Sequence, residues 1–274
     1  MPVIGERCAT FRRLHESGCW VMPNPWDAGT ARYLEHLGFR ALATTSSGFA
    51  FARGLPDGEA GVTRQALLAH IAELVAATGL PVNADFQAGY GGDPEAVGES
   101  VRLCVATGVA GLSIEDATGD PARPLHDVAA AAERVAAARE AIDRSATGVV
   151  LTARAECFLV GHPDPLAESL RRLRAYAEAG ADVLYAPGLR TRDEIRAVVE
   201  AAAPRPVNVL MSSYSGLALD DLKELGVRRV SVGSGLARAA WTAFARAARA
   251  MAEHGTFEGF EGLMPVSELN RLFG

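Results

Sequence analysis

The sequence predicts a parallel (β/α)8 barrel, and three observations carry that expectation. Eight short apolar or β-branched runs alternate with stretches of helical periodicity. Seven of the eight runs are preceded by a glycine, the residue favoured just past a helix end. The chain has 274 residues, the size of eight βα units.

In chain order, Gly18 precedes Cys19 to Met22, Gly38 precedes Phe39 to Thr44, and Gly79 precedes Leu80 to Asp85. Gly108 leads into Val109 to Glu115, Gly148 into Val149 to Arg154, Gly180 into Ala181 to Tyr185, and Gly226 into Val227 to Ser231. The remaining run, Pro206 to Met211, is opened by proline instead. Between runs the spacing turns helical, as in Leu166, Leu170, Leu173 and Ala177, or Trp241, Phe244, Ala248 and Met251. Asp93-Pro94 and Asp164-Pro165 read as an N-cap followed by an N1 proline, and Thr191 to Glu194 as a capping box. The runs are mostly too apolar for a wet face, so parallel strands buried on both sides are expected. No G-x-G-x-x-G follows the first run, which argues against a doubly wound dinucleotide-binding sheet. Residues 1–274 are therefore expected to form one barrel domain. A C-terminal tail at about 255–274 carries Phe257, Phe260, Leu263, Met264, Leu269 and Phe273, which implies packing on a neighbouring subunit.

Composition narrows the function. The chain is 49% hydrophobic and 22% charged with a net charge of −6 and no basic run, so neither nucleic acid nor a membrane surface is an expected partner. No apolar stretch approaches a membrane span, and Met1 to Thr10 lacks a charged n-region and an apolar h-region; a cytoplasmic protein is expected. Cys8, Cys19, Cys104 and Cys157 are too scattered for a metal or redox motif and read as free thiols. Lysine and arginine total 27, yet Lys223 is the only lysine. It lies on the polar side of a helical segment, which leaves no lysine for Schiff-base or P-loop chemistry.

In a barrel of this kind, chemistry sits where the strands end. Those ends deliver Asn24 and Asp27, Thr45-Ser46-Ser47, Asp85 with Gln87, Glu115-Asp116, Arg154 with Glu156, Tyr185, Asn208 with Ser212, and Gly233-Ser234-Gly235. Asp85 and Glu115 come from adjacent strands, and two such carboxylates form either a divalent-cation site or an acid/base pair; hard oxygen donors without cysteine or paired histidine favour Mg2+ over zinc. Arg154 closes a buried strand and needs a partner, either a substrate carboxylate or an ion pair with Glu156, Asp85 or Glu115. Thr45 to Gly48 and Gly233 to Gly235 can each present hydroxyls and amides to an anion, or simply form tight turns.

With these residues assembled, the chain resembles the phosphoenolpyruvate mutase/isocitrate lyase superfamily. The carrying motifs are Asn24 to Ala28, Thr45-Ser46-Ser47-Gly48, Gly54-Leu55-Pro56-Asp57, Asp85 to Gly91, Ser113-Ile114-Glu115-Asp116, Thr152-Ala153-Arg154, and Asp182 to Gly188. The resemblance implies Mg2+-dependent barrels, with Mn2+ as substitute, that make or break C–C or C–P bonds beside a 2-oxo acid through enolate-like charge development. It implies Asp85, Gln87 and Glu115 at the metal, and Arg154, Asp57, Ser46 and Ser47 as catalytic. Thr45, Gly48, Tyr185 and Asn208 would then bind a small anionic carboxylate substrate. It also implies a homotetramer or homodimer in which the last helix is exchanged.

Two departures matter. Gln87 stands where the family carries a second metal-site acid, and residues 117–126 contain neither the lysine of the mutases nor the cysteine of the isocitrate and methylisocitrate lyases. The expected activity is thus C–C cleavage of a small 2-oxo or 2-hydroxy di- or tricarboxylate, with Thr118, Asp120 and Arg123 setting preference. A C–P enzyme such as a phosphonopyruvate hydrolase or mutase, and a non-catalytic ligand-binding barrel, are the alternatives.

Overall fold

The computed structural model describes residues 4–274, so Met1 to Val3 lie outside it. Helix α1 (Ile4–Arg13) precedes β1 (Trp20–Met22), α2 (Ala28–His36), β2 (Leu42–Ala43), α3 (Ser46–Ala52) and α4 (Arg64–Ala77). The alternation continues through β3 (Val82–Asp85), α5 (Pro94–Ala106), β4 (Gly111–Glu115), α6 (Val128–Ser145), β5 (Val150–Arg154) and α7 (Pro165–Glu178). It closes with β6 (Val183–Tyr185), α8 (Arg192–Ala202), β7 (Val207–Leu210), α9 (Leu219–Glu224), β8 (Arg229–Ser231), α10 (Gly235–His254) and α11 (Val266–Phe273).

All eight expected strands form, and all pair in parallel in the order β1-β8-β7-β6-β5-β4-β3-β2. The β1–β2 seam has no ladder, but Ala43 N donates to Pro23 O at 3.0 Å and Asn24 Nδ2 to Thr44 O at 2.8 Å, which draws the barrel shut. Strand β2 is confined to Leu42–Ala43, shorter than the expected run, and Asn24 bonds Thr44 just beyond it. The glycine punctuation holds at Gly18, Gly38, Gly108, Gly148, Gly180 and Gly226, all at positive φ, where a Cβ is strained. Gly79 differs: α4 ends at Thr78 in extended backbone, and Thr78 Oγ1 bonds Glu35 instead. The Asp93, Asp164 and Thr191 caps all form.

The strands are buried on both sides, as expected, but the two sides differ in character. Outward side chains such as Leu112, Leu151 and Val209 are buried against helices. Inward ones are polar: Asn83, Ser113, Thr152, Asn208, Arg229 and Ser231 are buried inside the barrel. The floor is plugged from α1, where Phe11 packs edge-on to Trp20 and His15. Gly111 lies against that plug; a Cβ there would come 2.5 Å from Phe11 Cε1 and 2.7 Å from Asn83 Oδ1. Gly111→Ala is therefore expected to destabilise by about 1–3 kcal/mol through overpacking, read from the urea midpoint.

Helix α10 differs from the helices that precede it. Of its 20 residues only Ala237 is buried, while Leu236, Trp241, Phe244 and Met251 are exposed. Beyond it, part of the tail folds onto its own chain. Arg32 donates to Phe273 O at 3.1 Å and lies over the Phe273 ring. Phe257, Leu263 and Val266 stay exposed.

Candidate active site

A cavity of about 370 Å³ opens at the C-terminal ends of the strands. Asp57, Asp85, Gln87, Glu115, Arg154, Thr45, Ser46, Ser47, Tyr185 and Asn208 line it, so the barrel brings these sequence-predicted residues to one place.

Arg154, at the end of β5, stands in the middle. Its guanidinium lies 2.8 Å from Asp85, 3.0 Å from Glu115 and 2.9 Å from Glu156, with the Tyr185 ring 5.3 Å away. The register explains the convergence, since Glu115, Arg154 and Tyr185 are level across β4, β5 and β6. Acids outnumber the cation. Burial, with Glu156, Asp85 and Asp57 adding and Arg154 opposing, holds the Glu115 carboxyl well above its ordinary range. Burial likewise raises Glu156 and Asp57, and at Asp57 the charge of Asp85 adds to it.

The α3 start is committed to this ring. Ser46 N and Ser46 Oγ both donate to Asp85 Oδ2 at 2.9 Å, so Ser46 orients that carboxylate. Thr45 is the α3 N-cap, its Oγ1 accepting from Gly48 N. Gly48 does not line the cavity. Its N–H is spent on that cap, and a Cβ would come 2.6 Å from Thr45 Cγ2 and 3.1 Å from Trp26 Cβ, so its role here is close packing. At the opposite side, Asn24 Oδ1 accepts from Val232 N and Gly233 N at 2.9 Å, which occupies part of the Gly233 turn.

Loop 117–126 turns in on itself: Ala117 bridges Leu125, Thr118 N donates to Pro124 O, and Thr118 Oγ1 to Arg123 O. None of Thr118, Asp120 and Arg123 lines the cavity, whereas the half-exposed Leu159 does. Glu156, named from the sequence as a rim residue and as a partner for Arg154, is buried and pairs with it at 2.9 Å. Asp116 holds it there, accepting from Glu156 N at 2.9 Å while pairing with Arg172 and Tyr176. Arg229, within the run Val227 to Ser231, is a lining residue that the sequence reading does not reach, because neighbouring Arg228 offers the same side chain and only the fold turns one of the two inward.

For a divalent cation, no three His, Cys, Asp or Glu among the described residues form a ready cage. Mg2+ does not need one, since it keeps several waters and uses one or two carboxylates. The donor set fits that mode: Asp85 and Glu115 supply hard anionic oxygens, and Gln87 Oε1 is buried without a hydrogen-bond partner. Gln87 sits at φ 48, a left-handed backbone that the turn imposes on a non-glycine residue.

The phosphoenolpyruvate phosphomutase family model matches residues 11–252. The chain belongs to the phosphoenolpyruvate phosphomutase family. A Burkholderia cenocepacia J2315 protein of solved structure, provisionally described as a lyase/mutase, is 49% identical with a TM-score of 0.94, covering 99% of this chain and 96% of that one. The structure of 2,3-dimethylmalate lyase, a PEP mutase/isocitrate lyase superfamily member, has 26% identity and a TM-score of 0.85, covering 100% and 95%. The 2-methylisocitrate lyase of Bacillus subtilis is 27% identical over 279 residues, covering 96% of this chain and 88% of its own. Family membership places the chain among the lyase and mutase enzymes of that superfamily, with the acid-ringed cavity as its candidate active site.

Proposed function

We propose that the protein is a Mg2+-dependent lyase or decarboxylase that cleaves a C–C bond in a small 2-oxo or 2-hydroxy di- or tricarboxylate through an enolate-like intermediate. The observation that carries this reading is the ring of Asp85, Glu115 and Glu156 about the guanidinium of Arg154, with the exposed Asp57 adding a fourth acid to the cavity lining. Such a ring needs added positive charge, and a hard divalent ion is the matching supplement.

Asp85, Glu115 and the Gln87 carbonyl would hold the ion directly or through water, and its contribution is to stabilise negative charge growing on the substrate oxygen. Arg154 would grip a substrate carboxylate, exchanging part of its hold on the acids for it. Burial raises the Glu115 carboxyl, so its holding the ion would require its proton to leave. Ser46 fixes Asp85, and Asp57 and Ser47 wall the open side.

The test is a panel of 2-oxo and 2-hydroxy di- and tricarboxylates with Mg2+ or Mn2+, monitored for pyruvate or glyoxylate. Turnover of none of them would overturn the reading. The family match keeps C–P chemistry as the second reading, and release of free phosphate from phosphonopyruvate would promote it. Absence of Mg2+ binding by calorimetry, alone and with oxalate, would favour a non-catalytic barrel. Gln87→Glu restores a negative charge and is expected to tighten Mg2+ binding about tenfold, as one charge-assisted contact supplies.

The bare apolar face of α10 supports assembly with a second copy of the chain through exchange of this helix, as a homotetramer or homodimer. Light scattering is expected to report a dimer or tetramer for the wild type, and a smaller species for Trp241→Glu/Phe244→Glu. A monomeric wild type would remove this part of the reading.

A further inference from the structure

Arg134, on α6, is buried and does not line the active-site cavity. Its guanidinium holds backbone instead: Nη2 donates to Ala88 O at 2.9 Å and to Gly91 O at 2.8 Å. Burial lowers the pKa of this group, with Glu59 and Asp93 opposing, so the fold keeps a cation here against a desolvation cost. A buried cation devoted to two carbonyls of one turn asks for a reason in that turn.

The turn leads from β3 toward α5 and carries two left-handed residues that are not glycine, Gln87 at φ 48 and Tyr90 at φ 50. Such backbone is unfavourable for a residue with a Cβ and persists only where the surroundings impose it. Arg134 imposes it by drawing two carbonyls onto one nitrogen, which a charged donor does better than a neutral one. Other bonds complete the grip: Tyr90 N donates to Glu59 Oε1 at 2.9 Å, and Tyr90 O accepts from Ser100 Oγ at 3.0 Å. The turn in turn holds the site. Gln87 O accepts from Glu115 N at 2.8 Å, and Gln87, 4% exposed, keeps its unpartnered Oε1 in the residue that lines the cavity beside Asp85 and Glu115.

We propose that Arg134 is a positioning residue: by clamping Ala88 O and Gly91 O it holds the left-handed turn that presents Gln87 Oε1, and with it the Glu115 end of β4, to a hard divalent cation. The inference rests on the ion-dependent reading above and adds to it the residue that shapes the neutral donor. Arg134 acts through Gln87 and touches neither ion nor substrate.

Two measurements on the full-length protein test this. The first needs no metal: hydrogen exchange read by mass spectrometry over residues 86–92 and 112–116, against 150–154 in neighbouring β5. Arg134→Met is expected to speed exchange about tenfold in the first two segments and to leave the third unchanged, whereas global destabilisation moves all three. Arg134→Gln, which keeps N–H donors at shorter reach, takes its place should Arg134→Met fold poorly. Exchange unmoved at 86–92, or raised equally in all three segments, overturns the proposal. The second titrates Mg2+ by calorimetry. Arg134→Met is expected to weaken binding about tenfold in the wild-type background, and by less than about threefold where Gln87→Ala is already present. The same loss in both backgrounds overturns an action through Gln87. No Mg2+ binding by the wild type counts against the function proposed above, while the exchange still decides whether Arg134 holds the turn.

Discussion

Arg154→Met is expected to abolish turnover and to destabilise the protein by about 3–5 kcal/mol at neutral pH, because it leaves buried carboxylates without their cation. Three acids lean on this one side chain, at 2.8 Å, 3.0 Å and 2.9 Å for Asp85, Glu115 and Glu156. The loss is expected to depend on pH in a definite direction. Burial already raises the Glu115 carboxyl above its ordinary value of 4.5 in the fold, with Arg154 opposing. Between 4.5 and the raised value, the folded protein binds more protons than the unfolded chain, so stability falls as pH rises through that window. Removing Arg154 widens the window upward. The deficit of Arg154→Met against wild type should accordingly be smallest near about pH 5 and largest near about pH 8, measured as urea midpoints without divalent metal. A deficit independent of pH would mean that the acids find other partners. Arg154→Lys should recover part of the stability and little activity, since an ammonium cannot span three carboxylates in the guanidinium's planar geometry.

Asp85→Asn is the second large effect. Its two oxygens serve different neighbours: Oδ1 takes Arg154, while Oδ2 accepts from Ser46 N and Ser46 Oγ. An amide can keep one of these roles but not both, because its NH2 end cannot accept from Ser46 or from Arg154. The expected result is a fall in kcat/KM of about a thousandfold, near 4 kcal/mol of transition-state stabilisation. Mg2+ binding should weaken in parallel, since a charge and a hard oxygen are lost together. Unchanged Mg2+ affinity, with activity lost, would reassign Asp85 from ion binding to positioning Ser46 and Arg154. Stability should change less than for Arg154→Met, since removing one acid from a crowded ring relieves repulsion.

Much of this site was legible because a barrel turns chain order into geometry. Strand ends must meet at one rim, so the polar residues that close the eight runs are brought together whatever the details of packing. Asp85, Glu115, Arg154, Tyr185 and Asn208 are such residues, and each lines the cavity. Glu156 was visible as a neighbour of Arg154, but whether its carboxylate turned inward depended on Asp116 capturing its backbone N–H. Gly48 looked like part of a cradle in a run of hydroxyls; the packing of Trp26 and Thr45 around it is what gives it another task. In loop 117–126, Thr118 bonds back to Arg123 and Pro124 while His126 ties the loop's end to Asp116 and Arg172, and Leu159 stands at the rim, a placement that no spacing along the chain announces.

The sequence by itself determined the eight-fold alternation, the rim residues, and the absence of lysine and cysteine from loop 117–126. All of these are local or positional properties, set by periodicity, capping and residue identity along the chain. Only the tertiary structure decided which acids Arg154 holds, that Ser46 is committed to Asp85, and that Arg229 is buried with neutral partners alone. The physical reason is that pairing inside a barrel is a competition among side chains brought level by strand register, and its outcome turns on distances and desolvation that no spacing along the chain encodes.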